Sequence, residues 1–199
     1  MSELSNDLIL FNELVEVLLN EEKNHPVAKR IDSTVLYDTI DLSHQKNALV
    51  DDAFKKALKD VLVATPKTAT NLFFNQLFGG RQSKAILGDL LAVLLNNSMY
   101  TYKVAGPQVG IEKIILNKIC EIIGYSEDSD GTFAAGGSMT NYMAMLMARD
   151  KYDVDSKNLG VTKKMIVYTS DTSHYSIAKN ASYIGIGRDQ VRLIKTDSF

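Results

Sequence analysis

Two short apolar runs, Met165-Ile166-Val167-Tyr168-Thr169 and Val191-Arg192-Leu193-Ile194-Lys195, bracket the stretch that decides the fold. Each is rich in β-branched and aromatic residues and short enough to be a strand. Between them lies the polar segment Ser170-Asp171-Thr172-Ser173-His174, placed to cap a helix running to about Ile184. Gly185-Ile186-Gly187-Arg188 then supplies a turn. Strand, helix, strand in this rhythm predicts a parallel α/β sheet. In such sheets ligands bind beyond the carboxyl ends of the strands, where residues 169–174 fall. A lone histidine at a helix start, as His174 is, is by itself more often an ordinary residue than a functional one.

Upstream, Gly131-Thr132-Phe133-Ala134-Ala135-Gly136-Gly137-Ser138-Met139-Thr140-Asn141 leads into a helical pattern over 142–151. An apolar approach, a paired-glycine turn and a helix mouth bearing Ser, Thr and Asn suit an anion. The first N–H groups of a helix lack intrahelical partners, and the dipole is positive there. Glycine lets backbone approach a ligand with no Cβ between. An ordinary strand-to-helix turn fits the same residues. Beyond this helix a polar loop over 153–164 leads back to the first strand.

The earlier half reads as helices. Leu8, Phe11, Leu14, Val15, Leu18 and Leu19 recur at helical spacing over 7–22, with Ser5 or Asn6 as cap. Asn24-His25-Pro26 ends the pattern. Extended pieces are expected around 33–37, and a second amphipathic helix over 43–64. Thr65-Pro66 stops it. Residues 71–80 set Asn75 and Gln76 among Phe73, Phe74 and Phe78; buried amides would need hydrogen-bond partners, either backbone or a ligand. Residues 83–97 form a helix apolar on all sides, which predicts burial on more than one. Residues 100–107 read as a connector, and a helix over 109–123 is stopped by Gly124. The acidic loop 126–131 is expected to be solvated; it lacks the glutamate spacing of a calcium loop. Gly79-Gly80-Arg81-Gln82-Ser83-Lys84 lacks phosphate-loop spacing.

Composition bounds the function. The 199 residues are 45% hydrophobic and 23% charged, as in soluble globular chains, with a net charge of −2 that favours neither nucleic acid nor an anionic membrane. One cysteine, Cys120, and three scattered histidines, His25, His44 and His174, give no disulfide and no metal-ligand spacing. Neither a signal peptide nor a membrane span is evident, so a cytoplasmic location is expected.

Four landmarks in order then carry a resemblance: Phe73-Phe74-Asn75-Gln76-Leu77, Tyr100-Thr101-Tyr102, the stretch 131–141 with Ala148-Arg149, and Thr169-Ser170 with Ser173-His174-Tyr175-Ser176. Over roughly residues 60–199 the chain resembles the pyridoxal-phosphate-dependent group II amino-acid decarboxylases. The resemblance implies an α/β fold: a helical N-terminal segment, then the first part of an aspartate-aminotransferase-like (type I) large domain. It implies that Gly137 and Ser138 bind the cofactor phosphate and that His174 stacks on the pyridine ring. Gln76 would reach the substrate, with Asn75 beside it. The Schiff-base lysine, the aspartate facing the pyridine nitrogen and the small domain are expected beyond residue 199. Residues 1–64 would be a dimerisation segment and 65–199 the truncated first part of the large domain. The chain would thus be the N-terminal part of a longer polypeptide, a homodimer, inactive by itself.

The implied reaction is loss of the α-carboxylate from glutamate, aspartate, cysteine sulfinate or 2,4-diaminobutyrate. Ser98 stands where animal glutamate decarboxylases have asparagine, which keeps the last three open beside glutamate. Lys103 stands where the family has an acidic residue. Another pyridoxal-phosphate lyase or aldehyde-forming enzyme on this fold, or a non-catalytic helical dimerisation module, are the other readings.

Overall fold

The computed structural model describes residues 3–28, 32–34, 51–75 and 77–197. The chain divides into two units, Met1–Asn96 and Asn97–Phe199.

In the first unit, α1 (Glu3–Asn24) carries an acid in its first turn and Lys23 in its last, both favourable to the dipole. It begins before the expected caps, so Ser5 and Asn6 lie inside the helix. The Asn24 amide bonds Asn20 Oδ1 at 2.8 Å where the helix ends, before Pro26. The apolar stripe of α1 meets α2 (Asp51–Ala64): Leu10, Phe11 and Leu14 line a groove with Phe54 and Leu58, and Lys55 pairs with Glu13. The expected start of α2 over 43–50, and residues 35–37 of the extended piece, lie outside the described residues.

Lys67 closes α2. Its ammonium donates to the carbonyls of Leu62, Val63 and Thr65 at 3.1, 2.7 and 2.6 Å, and the residue is only 6% exposed. The last carbonyls of a helix have no partner within it, and a cation there meets both that need and the dipole. Next, Phe73 and Phe78 pack edge to face, ring centroids 5.6 Å apart.

The apolar helix is α3 (Ser83–Leu95). The Gln82 side chain accepts the Lys84 N–H at its start, and Asn96, at φ 49°, ends it. The expectation of burial is overturned: Leu87, Val93 and Leu95 are 53%, 77% and 56% exposed. No residue of α3 is buried.

In the second unit the expected connector contains a helical turn, α4 (Tyr102–Ala105), with Ala105 buried. Proline at its first position starts α5 (Pro107–Ile123), and Gly124 ends it in the left-handed region. Then come α6 (Gly137–Tyr152), the short α7 (Ser156–Leu159), β1 (Val167–Ser170), α8 (Ser176–Tyr183), a 3₁₀ turn (Arg188–Gln190) and β2 (Val191–Ile194). The strands pair in parallel, Val167 opposite Val191 and Ser170 opposite Ile194. Asp171 extends the pairing: its N–H donates to Ile194 O, and its carboxylate accepts the N–H and hydroxyl of Thr196. The predicted strand–helix–strand unit is therefore present.

The loop after α6 is not simply solvated. Asp153 is fully buried and accepts the Thr162 N–H and hydroxyl at 2.7 and 2.6 Å and the Lys163 N–H at 3.1 Å. One turn earlier, Asp150 accepts from Arg149 and from Ser156, while Arg149 also donates to Ile184 O. These bonds join α6 to α7 and to the end of α8. The Thr162 hydroxyl holds the Asp153 carboxyl below the usual range against the opposing effect of burial; the Arg149 guanidinium does the same for Asp150.

Candidate functional site

The paired glycines shape the mouth of α6. Gly136 sits at φ 130°, ψ 165°, a conformation for which a side chain is strained. Its carbonyl accepts the N–H groups of Met139 and Thr140, while no side chain caps the helix. Thr140, a natural capping residue, instead turns its hydroxyl back onto Gly137 O at 2.8 Å. The N–H groups of Gly137 and Ser138 therefore open the helix without an intrahelical acceptor. A Cβ at Gly137 would meet no atom within 4 Å, and its φ is not in the left-handed region. Neither packing nor backbone demands glycine there; close approach of a ligand would. Glu112 on α5 steers the chain into this turn by accepting the Phe133 N–H and Thr132 hydroxyl at 3.2 and 3.3 Å.

His174 lies between β1 and α8. Ser170 and Ser173, in the segment the sequence placed as a cap for α8, turn instead to each other and to Thr169 at the strand end. The Thr169 and Ser170 hydroxyls bond Ser173 Oγ, each at 2.7 Å; Tyr175 at the cap position makes no side-chain bond, and His174 Nδ1 accepts the first helical N–H, that of Ser176. Short hydroxyl groups in a tight turn found each other first. The imidazole packs on Tyr175 with centroids 4.2 Å apart, and its Nδ1 lies 2.8 Å from Ser176 Oγ.

Two bonds tie this loop to the glycine mouth. Asn141 Nδ2 donates to Ser176 Oγ at 2.8 Å, and Asn180 Nδ2 donates to Ser138 O at 2.9 Å. Ser176 and Asn180 are buried on α8, so both bonds form away from water, where they hold geometry best. Gly137, Ser138 and His174 thus belong to one hydrogen-bonded cluster. Asn75 lies in the other unit, its Oδ1 occupied by the Leu77 N–H at 2.8 Å, which is a local turn bond. Gln76 lies outside the described residues. Asn180 and Glu112 were not singled out from sequence, and Asn141 and Ser176 stood there only within longer stretches, with no role of their own. The available signal was a polar amide, Asn141 or Asn180, on the face of a helix that must pack.

The uncapped mouth of α6 is thus hydrogen-bonded to the loop of an imidazole at the end of a parallel strand, the position where α/β folds accept ligands and where a helix start suits an anion. Comparison with known proteins narrows the class. The family model of the pyridoxal-dependent decarboxylase conserved domain matches residues 35–199. The chain is 34% identical to the acidic amino acid decarboxylase GADL1 of Xenopus tropicalis, over 95% of this chain and 37% of that protein. It is 35% identical to the cysteine sulfinic acid decarboxylase of Mus musculus, over 81% of this chain and 33% of that protein. A crystal structure of mouse CSAD superposes with a TM-score of 0.91 at 29% identity, covering 98% of this chain and 43% of that one. The chain belongs to the pyridoxal-dependent decarboxylase family, of whose members it spans about a third to two fifths. The α/β architecture expected from sequence, an incomplete portion of that fold, is the one found.

The residues present fit the family's cofactor. Pyridoxal phosphate needs a dianion site and a partner for a flat ring. The uncapped glycine mouth answers the first, and an exposed histidine held against Tyr175 answers the second.

Proposed function

We propose that the full-length protein decarboxylates a small acidic amino acid with pyridoxal phosphate. The observation that carries this reading is the uncapped mouth of α6, bonded through Asn180 and Asn141–Ser176 to the loop of His174. In this reading the N–H groups of Gly137 and Ser138, with the Ser138 hydroxyl, hold the phosphate. His174 packs against the ring and fixes its tilt, while Glu112 and Asn180 keep the mouth open. When bound, the cofactor supplies an electron sink for the pair left behind as the α-carboxylate departs as CO2. Asn75 and Gln76 are proposed to face the substrate.

The names of the relatives support an acidic substrate, cysteine sulfinate, aspartate or glutamate, over the basic 2,4-diaminobutyrate, the fourth candidate. The exposed apolar α3 and α1 support a homodimer, and the composition supports a cytoplasmic location. The test is direct. Full-length protein is expected to bind pyridoxal phosphate, seen in its visible absorption, and to release CO2 from one of these four amino acids. His174→Ala with Ser138→Ala is expected to weaken cofactor binding by roughly tenfold or more, about 1.4 kcal/mol. Cofactor binding left intact in that double variant would overturn the site, and aldehyde or other products would overturn the reaction.

A further inference from the structure

The partners of His174 set its proton. Nδ1 accepts from the backbone N–H of Ser176 at 3.2 Å and faces Ser176 Oγ at 2.8 Å. An amide N–H can only donate, so this long bond favours a neutral ring with the proton on Nε2, and the shorter contact to the Ser176 hydroxyl decides whether that state is fixed. Ser176 Oγ in turn receives the Asn141 amide at 2.8 Å, which directs its own proton onto Nδ1. Ser176 is fully buried, so its hydroxyl depends on protein partners, and it has one on each side. Asn141 stands on the helix whose mouth binds the anion, one turn after Ser138.

We propose that Asn141 and Ser176 are positioning residues: the relay Asn141→Ser176→His174 locks the imidazole as an Nε2–H donor and ties that state to the helix bearing the phosphate cradle. This rests on the proposed function only in taking His174 as the residue facing the cofactor ring. The neutral N–H edge so fixed is a donor suited to a carboxylate oxygen, the group an amino-acid substrate brings. With the Asn141 donor removed, the hydroxyl proton is free to turn elsewhere and the ring to flip or change tautomer.

The experiment uses full-length protein in the apo form with ring-¹⁵N-labelled histidine, the His174 signals being identified by their loss in His174→Gln. Wild type is expected to show one unprotonated and one protonated ring nitrogen, Nδ1 and Nε2. Ser176→Ala, and the isosteric Asn141→Asp, which keeps volume but turns the donor into an acceptor, should each draw the two shifts together as tautomers mix. Each should also weaken pyridoxal phosphate binding several-fold, with thermal midpoints near wild type. Wild-type nitrogen shifts in Asn141→Asp would overturn the relay, even if Ser176→Ala fails to fold. The two readings separate cleanly. Unchanged cofactor binding in His174→Ala with the expected nitrogen shifts would remove the cofactor assignment and leave the relay standing. Lost binding with unchanged shifts would do the reverse.

Discussion

The two glycines at the mouth of α6 hold their positions for different reasons, and substitution should separate them. Gly136, at φ 130°, is required by the backbone; Gly136→Ala is expected to cost about 1–3 kcal/mol and to shift the helix start. Gly137 is not so required, and an added Cβ would enter open space. Gly137→Ala should therefore keep the wild-type unfolding midpoint while weakening pyridoxal phosphate binding in the full-length protein, as read by cofactor titration. A Gly137→Ala protein that binds as well as wild type would show that nothing approaches there. That Gly136-Gly137-Ser138 opens a helix was legible in the sequence, because paired glycines before a helical pattern mark its start. The role of Asn141 was not. Its partner lies 35 residues away, and only the packing of α6 on α8 decides which polar residues meet.

At the scale of elements, the junction of α6 and α7 is a polar lock within what the sequence showed only as a polar loop. Asp153 reads as surface by residue type, yet it is fully buried because Thr162 and Lys163 supply the donors that a carboxylate needs. Its carboxyl lies below the usual range, as does that of Asp150. A carboxyl depressed by folding binds fewer protons folded than unfolded, so stability rises with pH between the folded value and the ordinary one, near 3.9. The contribution is complete at neutral pH and is lost as pH falls through the depressed folded values. Thermal midpoints recorded from pH 7 downward should hold until about pH 4 and then fall. Asp153→Asn should lower the neutral midpoint by several degrees and flatten the acid side of that profile. The same steep acid loss in the variant would rule out Asp153 as a source. The helices and strands around this lock were readable from periodicity. Their ends were less so: α1 starts two residues before its expected cap, and the hydroxyls after β1 bond one another instead of α8.

At the scale of the whole molecule, the sequence announced an apolar helix and the structure leaves it bare. Leu87 and Leu94, seven residues apart on one face of α3, are 53% and 51% exposed. Hydrophobic surface of this extent seeks a cover. Because the chain spans 37% of the length of a relative such as the Xenopus enzyme, a longer protein or a second copy has ample material to provide one. Produced alone, the 199-residue chain is expected to self-associate, and Leu87→Glu with Leu94→Glu should shift sedimentation toward the monomer. A monomeric parent chain would show that α3 is covered from within. Fold class was legible here because one parallel strand–helix–strand unit constrains its class strongly. What covers α3 was not, since an apolar surface records the need for a partner without recording which one.

The bonds that build the glycine–histidine cluster reach 35 and 42 residues along the chain, from Asn141 to Ser176 and from Ser138 to Asn180. That has a consequence for the order of events on the ribosome. Contacts of modest sequence separation close early, and synthesis proceeds at about 5–20 residues per second. Once β2 has cleared the exit tunnel, every described member of the cluster is available. Stalled nascent chains ending some tens of residues past Thr196 should already protect α6 and α8 from protease. In the life of each new molecule, the glycine–histidine cluster is then a birth feature, complete as soon as its own segment has emerged.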